Sequence, residues 1–127
     1  MTAALMVAAG GAVGAPARYL IGVWVTTWMR HRRLGRLPWG TFAVNMTGSL
    51  LLGLVASLTA GGAPAWLLTT VGTGFCGALT TFSTFGIEAV NLVEQNRLEA
   101  AAAVVTVSLL VGLLACVVGW QLGSLFV

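Results

Sequence analysis

The sequence predicts an all-α integral membrane protein whose four helices span the bilayer. Of the 127 residues, 58% are hydrophobic and only 7% are charged, and the mean hydropathy is +0.98. No side chain between Arg36 and Glu88 is ionisable apart from Cys76, and none follows Glu99 apart from Cys116. A soluble domain of this length carries far more charge, whereas about 20 consecutive apolar residues suffice for one membrane-spanning helix.

Three segments rich in charge or helix breakers divide the apolar sequence: RHRRLGRLP, AGGAP and NLVEQNRLE. Lipid offers no hydrogen-bond partner to an exposed backbone, so each apolar stretch between them is predicted to be helical. We predict a single transmembrane domain, residues 1–127, with spans at about residues 2–28, 39–59, 65–89 and 100–122.

The third span has an unusual sequence. Glycine-rich GTGFCG is followed closely by hydroxyl-rich TTFSTF, from Thr80 to Phe85. Glycines and hydroxyl side chains favour an interruption of the helix, and lipid tolerates one only where protein or a water-filled cavity surrounds it. We therefore predict that the third helix is broken.

The arginines outside the first span all lie on one side of the predicted membrane. Four occur in RHRRLGR, from Arg30 to Arg36, and the fifth is Arg97. By the positive-inside rule both basic loops are expected to be cytoplasmic, in a multi-pass protein of the cell membrane. The net charge of +3 is thus expected to meet the headgroups of the lipid bilayer, and nucleic acid is not predicted as a partner.

Polar and aromatic residues within the spans suggest a path for an anion. Asn45 offers two N–H donors, and Thr41 lies one helical turn before it on the same face. Phe82 and Phe85 are three residues apart, and the edges of their rings carry the positive end of the aromatic quadrupole. Such donors replace part of the hydration of a small, hard anion without trapping it. The alternative for the phenylalanine pair is ordinary packing.

Three segments make a family resemblance specific: GGAVGAPARY from Gly10 to Tyr19, WGTFAVNMTGSLLLG from Trp39 to Gly53, and GFCGALTTFSTF from Gly74 to Phe85. They resemble, in the same order, the signature segments of the CrcB/Fluc fluoride channels. The resemblance implies a fluoride-selective channel that exports F⁻ passively and lowers its cytoplasmic concentration.

The resemblance also implies an antiparallel dimer with two pores and a structural Na⁺ at its centre. Backbone carbonyls of the broken third helix, at Gly77 and Thr80, would hold the Na⁺, and carbonyl oxygens suit a hard cation. The residues implied for the fluoride pore are Asn45, Phe82 and Phe85, with Thr41, Ser83, Thr84 and Ser108 as polar donors. Ser108 matches only by its place in the fourth span.

Two charged residues also match the family pattern, and their roles stay open at this point. Arg18 either attracts anions at a vestibule or braces helix termini. Glu88 places a negatively charged carboxylate near an anion path. Pairing of this carboxylate with either a cation or backbone donors would explain its presence there. An antiparallel homodimer needs one sequence to insert in both orientations, whereas the arginines favour a single orientation. The dimer partner is therefore either a second copy or an oppositely oriented paralogue.

Two other functions are alternatives to a fluoride channel. A small multidrug or guanidinium exporter needs a membrane-embedded carboxylate, but Arg18 is the only charge in the first span. A non-transporting structural subunit would not need Asn45 or the TTFSTF cluster at membrane depth. An enzyme is not predicted, because His31 lies in a basic loop without a carboxylate or cysteine at catalytic spacing.

Overall fold

Four helical spans make up the chain in a computed structural model that describes residues 1–32 and 37–126. The first and second spans are single helices, α1 (Thr2–His31) and α2 (Trp39–Ala60), and the fourth is α6 (Leu98–Ser124). All four are long and apolar enough to cross a membrane. The predicted all-α fold with four spans is confirmed.

The third span is built from four pieces. It consists of α3 (Ala65–Leu67), a π-helical segment (Leu68–Cys76), α4 (Gly77–Leu79) and α5 (Phe82–Glu94). Between α4 and α5 the backbone is extended, with φ −81° and ψ 158° at Thr80 and φ −146° and ψ 122° at Thr81. The span is bent by 24°. The predicted break is confirmed, and the π-helical segment, a rare conformation that often occurs at functional sites, was not predicted.

The helix ends differ modestly from the predicted bounds. The third span continues to Glu94 rather than Ala89, because Leu92 is buried and anchors another turn. α1 continues to His31, where basic side chains in its last turn interact favourably with the helix dipole. Residues 33–36 of the predicted cytoplasmic basic segment, and Val127, lie outside the described residues.

Glycines allow the helices to approach one another closely. A Cβ at Gly53 of α2 would overlap the carbonyl oxygen of Cys116 in α6, and one at Gly119 would overlap that of Leu50. On the other side of the bundle, a Cβ at Gly10 of α1 would overlap the carbonyl of Thr70 in the π-helical segment. Backbone-to-backbone packing of this kind holds helices together in lipid. Here it joins α2 to α6 and the broken third span to α1.

Candidate functional site

The break in the third span is held by Asn45 of α2. The Asn45 Nδ2 donates to the Thr81 carbonyl oxygen at 3.1 Å, and the Thr81 N–H donates to the Asn45 Oδ1 at 2.8 Å. This pair of bonds satisfies both backbone groups of a residue that has left the helical conformation. It also leaves one of the two hydrogens on Nδ2 for another acceptor.

The same arrangement releases two backbone carbonyls. In an unbroken helix the N–H of Thr81 would donate to the carbonyl of Gly77, and that of Thr84 to the carbonyl of Thr80. Here those N–H groups donate instead to Asn45 Oδ1 and to the Thr81 hydroxyl. Among the described residues the Gly77 carbonyl therefore has no backbone donor. Free carbonyl oxygens are ligands for a hard cation.

Arg18 of α1 lies at the break. Its Nη1 donates to the Thr80 carbonyl oxygen at 3.4 Å, and its side chain is half-buried. Of the two roles left open by the sequence, this contact matches the bracing of a helix terminus. The guanidinium uses one lone pair of the Thr80 oxygen, and a carbonyl oxygen has two.

Hydroxyl groups cap the start of α5. Thr81 is the N-cap residue: its hydroxyl accepts from the Thr84 N–H at 3.3 Å and donates to the Thr84 Oγ1 at 3.1 Å. Ser83 Oγ lies 3.3 Å from the same Thr81 oxygen. Since the Thr81 proton is given to Thr84, the Ser83 hydroxyl is the donor in the contact with Thr81, and the Thr84 proton is left for another acceptor.

Thr81 was missed as an individual site residue by sequence reasoning. The signal was present, because a threonine three residues before another hydroxyl at the start of a helix is typical of an N-cap. Its backbone, however, is recognised by Asn45 from a different helix, and sequence spacing does not show that contact.

An open groove of about 980 Å³ runs along the break, bounded by α2, the third span and α6. Its lining brings together six of the predicted site residues: Asn45, Gly77, Thr80, Phe82, Phe85 and Ser108. The rest of the lining is mainly small or apolar. Thr41, Ser83, Thr84, Arg18 and Glu88 do not line it. A mostly apolar groove with a few polar groups is typical of a ligand-binding site.

The two predicted phenylalanines lie side by side. The ring centroids of Phe82 and Phe85 are 6.0 Å apart and the ring planes are inclined by 46°, so neither face is covered by a parallel stack. Phe82 is 85% exposed in the single chain, whereas Phe85 is half-buried. The Phe82 ring is therefore open to whatever covers the groove.

Thr41 and Glu88 form a separate pair beside Phe85. The Thr41 hydroxyl donates to Glu88 Oε1 at 2.9 Å. The other carboxylate oxygen, Oε2, is buried without a hydrogen-bond partner among the described residues. Within the described part of the chain, the hydrogen-bond partner of Glu88 is thus the hydroxyl of Thr41, and the cation or backbone donors expected from the sequence stay a prediction for the second oxygen.

Side-chain metal ligands do not converge in the part of the chain that the structure describes, where no three His, Cys, Asp or Glu residues form a group. A cation at this site would depend on backbone oxygens, and the break supplies them at Gly77 and Thr80.

Comparison with known proteins agrees with this geometry. Residues 5–120 match the family described as CrcB-like protein, Camphor Resistance (CrcB). The chain is 49% identical to the Fluoride-specific ion channel FluC 1 of Frankia casuarinae, over 91% of each chain. It is 43% identical to the Fluoride-specific ion channel FluC of Acidobacterium capsulatum, over 94% of each.

A third relative, the Fluoride-specific ion channel FluC 2 of Moorella thermoacetica, is 42% identical over 96% of this chain and 98% of its own. The match to the family, residues 5–120, reaches into all four spans. The chain is therefore a multi-pass membrane protein that belongs to the CrcB/FluC family of fluoride ion channels, which are not enzymes.

Proposed function

We propose that this chain forms a fluoride-selective channel that lets F⁻ leave the cell passively down its electrochemical gradient. The observation that carries the proposal is the single groove at the break, which contains Asn45, Phe82, Phe85 and Ser108. Hydrogen fluoride crosses membranes as a neutral acid and dissociates inside, so a passive leak for the anion is enough to lower cytoplasmic fluoride.

The donors of the groove suit a small, hard anion. The spare Nδ2 hydrogen of Asn45 and the Ser108 hydroxyl each offer one hydrogen bond. The ring edges of Phe82 and Phe85 add weak positive potential at membrane depth. These donors replace part of the hydration free energy that the anion loses. None of them carries a full positive charge, so the anion is not bound too tightly to be released. Ser83 and Thr84 follow the break directly, and the free Thr84 proton extends the series of donors.

The Thr41 hydroxyl plays a conditional part in this pathway. Its one proton is donated to Glu88, so it binds fluoride only when that bond opens. Glu88 then has a positional role: its carboxylate holds the Thr41 hydroxyl in place and competes with fluoride for its proton.

A structural Na⁺ is the cofactor we propose for the break. The carbonyls of Gly77 and Thr80 are released from helical bonding, and Gly77 is exposed in the single chain, so the residues present fit a hard cation shared with a second subunit. Bound Na⁺ would supply positive charge to the Gly77 carbonyl oxygen and to the lone pair of the Thr80 oxygen that Arg18 leaves free. Thermal unfolding of the detergent-purified protein tests this: Na⁺ in place of K⁺ should raise the midpoint, and equal midpoints in both salts would contradict it.

An antiparallel dimer is the assembly we propose, because it would cover the open groove and the exposed Phe82 ring. The partner is either a second copy or an oppositely oriented paralogue. In the orientation that the arginines favour, both basic loops, the second of which contains Arg97, lie on the cytoplasmic side of the cell membrane. Co-expression distinguishes the partners: full flux from this chain purified alone supports the homodimer, and flux only with a paralogue supports the heterodimer.

Efflux from proteoliposomes, followed with a fluoride electrode, tests the proposed activity. Vesicles loaded with fluoride should empty rapidly when a potassium ionophore relieves the opposing potential, and vesicles loaded with chloride should not. A comparable chloride efflux would contradict selectivity. Absence of fluoride efflux from a correctly assembled protein would favour a non-transporting subunit, and proton-coupled guanidinium uptake would favour an exporter.

A further inference from the structure

Arg18 places a full positive charge at the break in the third span. Its Nη1 donates to the Thr80 carbonyl oxygen at 3.4 Å, and this oxygen is one of the two proposed above as ligands of Na⁺. A guanidinium stays protonated in proteins, so the charge is permanent. Any cation that the Thr80 oxygen holds therefore shares this ligand with a fixed cation of the protein.

Close packing of α1 against the third span holds Arg18 at the break. A Cβ at Gly14, one helical turn before Arg18, would overlap the carbonyl oxygen of Phe75 in the π-helical segment, and would lie 3.1 Å from the Ala78 side chain in α4. Gly14 is accordingly buried. The backbone of α1 thus lies against the third span just before the break, and the Arg18 side chain reaches the Thr80 oxygen from a helix that is packed in place.

The acidic residues of the chain lie away from this charge. There are three, Glu88, Glu94 and Glu99, and none of them precedes the break in the sequence. Glu88 lies about 9 Å along α5 from the start of that helix, at 1.5 Å per residue, and its Oε1 accepts a hydroxyl proton. Glu94 ends α5, and Glu99 lies in the first turn of α6. Within the described part of the chain Arg18 has no ion-pair partner.

This arrangement distinguishes cations by charge rather than by size. Ca²⁺ has nearly the radius of Na⁺ and also binds backbone carbonyls, but the affinity of a Ca²⁺ site depends on how many of its ligands are negatively charged. The break offers carbonyl oxygens at Gly77 and Thr80 without a carboxylate. Repulsion by a guanidinium is also twice as large for a divalent ion as for a monovalent ion at the same position. Both features disfavour Ca²⁺.

We propose that Arg18 makes the cation site at the break selective for monovalent ions. It is a positioning residue: its hydrogen bond orients the Thr80 carbonyl oxygen, and its charge excludes Ca²⁺ and other divalent cations. The inference rests on the Na⁺ proposed above. Exclusion of divalent cations has a clear use in a fluoride channel, because Ca²⁺ binds fluoride strongly and would trap the anion beside its pathway.

The test measures the thermal unfolding midpoint of the detergent-purified protein in N-methylglucamine chloride, to which NaCl or CaCl₂ is added at constant ionic strength. Arg18→Gln keeps an N–H donor for Thr80 but removes the charge, whereas Arg18→Lys keeps a donor and the charge. Arg32→Gln is the matched control, because it removes a guanidinium from the far end of α1, where it lies 4.9 Å from the centroid of the Trp28 ring. Size-exclusion chromatography checks the assembly of each variant.

Na⁺ should raise the midpoint of the unaltered protein, and Ca²⁺ at the same concentration should not. In Arg18→Gln, Ca²⁺ should raise the midpoint, and its half-maximal concentration relative to that of Na⁺ should fall at least about tenfold, as the lost repulsion predicts. Arg18→Lys and Arg32→Gln should discriminate between the two cations as the unaltered protein does.

Equal stabilisation of the unaltered protein by Na⁺ and Ca²⁺ would overturn the inference, even if Arg18→Gln failed to fold. Unchanged discrimination in a correctly assembled Arg18→Gln would overturn it as well, while leaving the proposed Na⁺ intact. If neither cation stabilised the unaltered protein, the Na⁺ site at the break would itself be refuted, and the role of Arg18 with it.

Discussion

Asn45 binds both backbone groups of Thr81, with its Nδ2 on the carbonyl oxygen and its Oδ1 on the N–H. The two residues belong to different spans, so the side chain of α2 replaces the helical bonds that the third span gives up. The exposed carbonyls and the free hydroxyl proton at the break depend on this contact.

Asn45→Ala should destabilise the protein by about 1–3 kcal/mol, because it leaves the N–H and C=O of Thr81 unpaired at membrane depth. Fluoride efflux should fall as well. Thr47→Val is the control on the same helix, since the Thr47 hydroxyl donates only to Ala43 O in its own helix. Thermal unfolding in detergent measures the stability of the two variants, and efflux from proteoliposomes measures their activity. Equal destabilisation by the two substitutions would show that the bonds of Asn45 to Thr81 contribute no more to the free energy of unfolding than the Thr47 hydroxyl does.

Phe82→Ile and Phe85→Ile should each reduce fluoride efflux up to about tenfold without loss of assembly. The substitutions keep apolar volume but remove the ring edges, and an aromatic edge interaction contributes about 0.5–1.5 kcal/mol. Phe126→Ile serves as the control, because Phe126 is exposed and lies outside both cavities. Unchanged efflux in both pore variants would show that the ring edges of Phe82 and Phe85 do not contribute to the passage of fluoride.

Thr41→Val should cost about 1–3 kcal/mol of stability, because neither carboxylate oxygen of Glu88 would then accept a hydrogen bond. Thr41→Ser keeps the hydroxyl and should behave like the unaltered protein. Chemical unfolding of the purified protein separates the two variants. If Thr41→Ser were as damaging as Thr41→Val, a retained hydroxyl would not restore stability, and the bond to Glu88 would not be the cause.

Gly53→Ala should disrupt the packing of α2 against α6, because the new methyl group would overlap the carbonyl oxygen of Cys116. Overpacking of this kind costs about 1–3 kcal/mol or more, since a backbone has to move. Gly22→Ala is the matched control in another span, because a Cβ there has nothing within 4 Å. The yield of monodisperse protein and its unfolding midpoint should fall for Gly53→Ala only. Similar values for the two variants would contradict the close approach of these helices.

The spans and the break were predictable, because each depends on local composition. Apolar runs locate helices in lipid, and glycines next to hydroxyls weaken the third helix near Thr80. The partners of Glu88 and Arg18 were not predictable, since Thr41 lies 47 residues from Glu88 and Thr80 lies 62 residues from Arg18. Such contacts depend on how the spans pack, and a sequence pattern within one span does not predict contacts between spans.

Selective passage of fluoride past the broken third span is measured most directly by the reversal potential in a planar bilayer. With a tenfold fluoride gradient and equal chloride on both sides, a fluoride-selective pore should reverse at about 59 mV, the value for a monovalent ion. A reversal potential well below this value would show that chloride carries part of the current, and would contradict selective passage of fluoride.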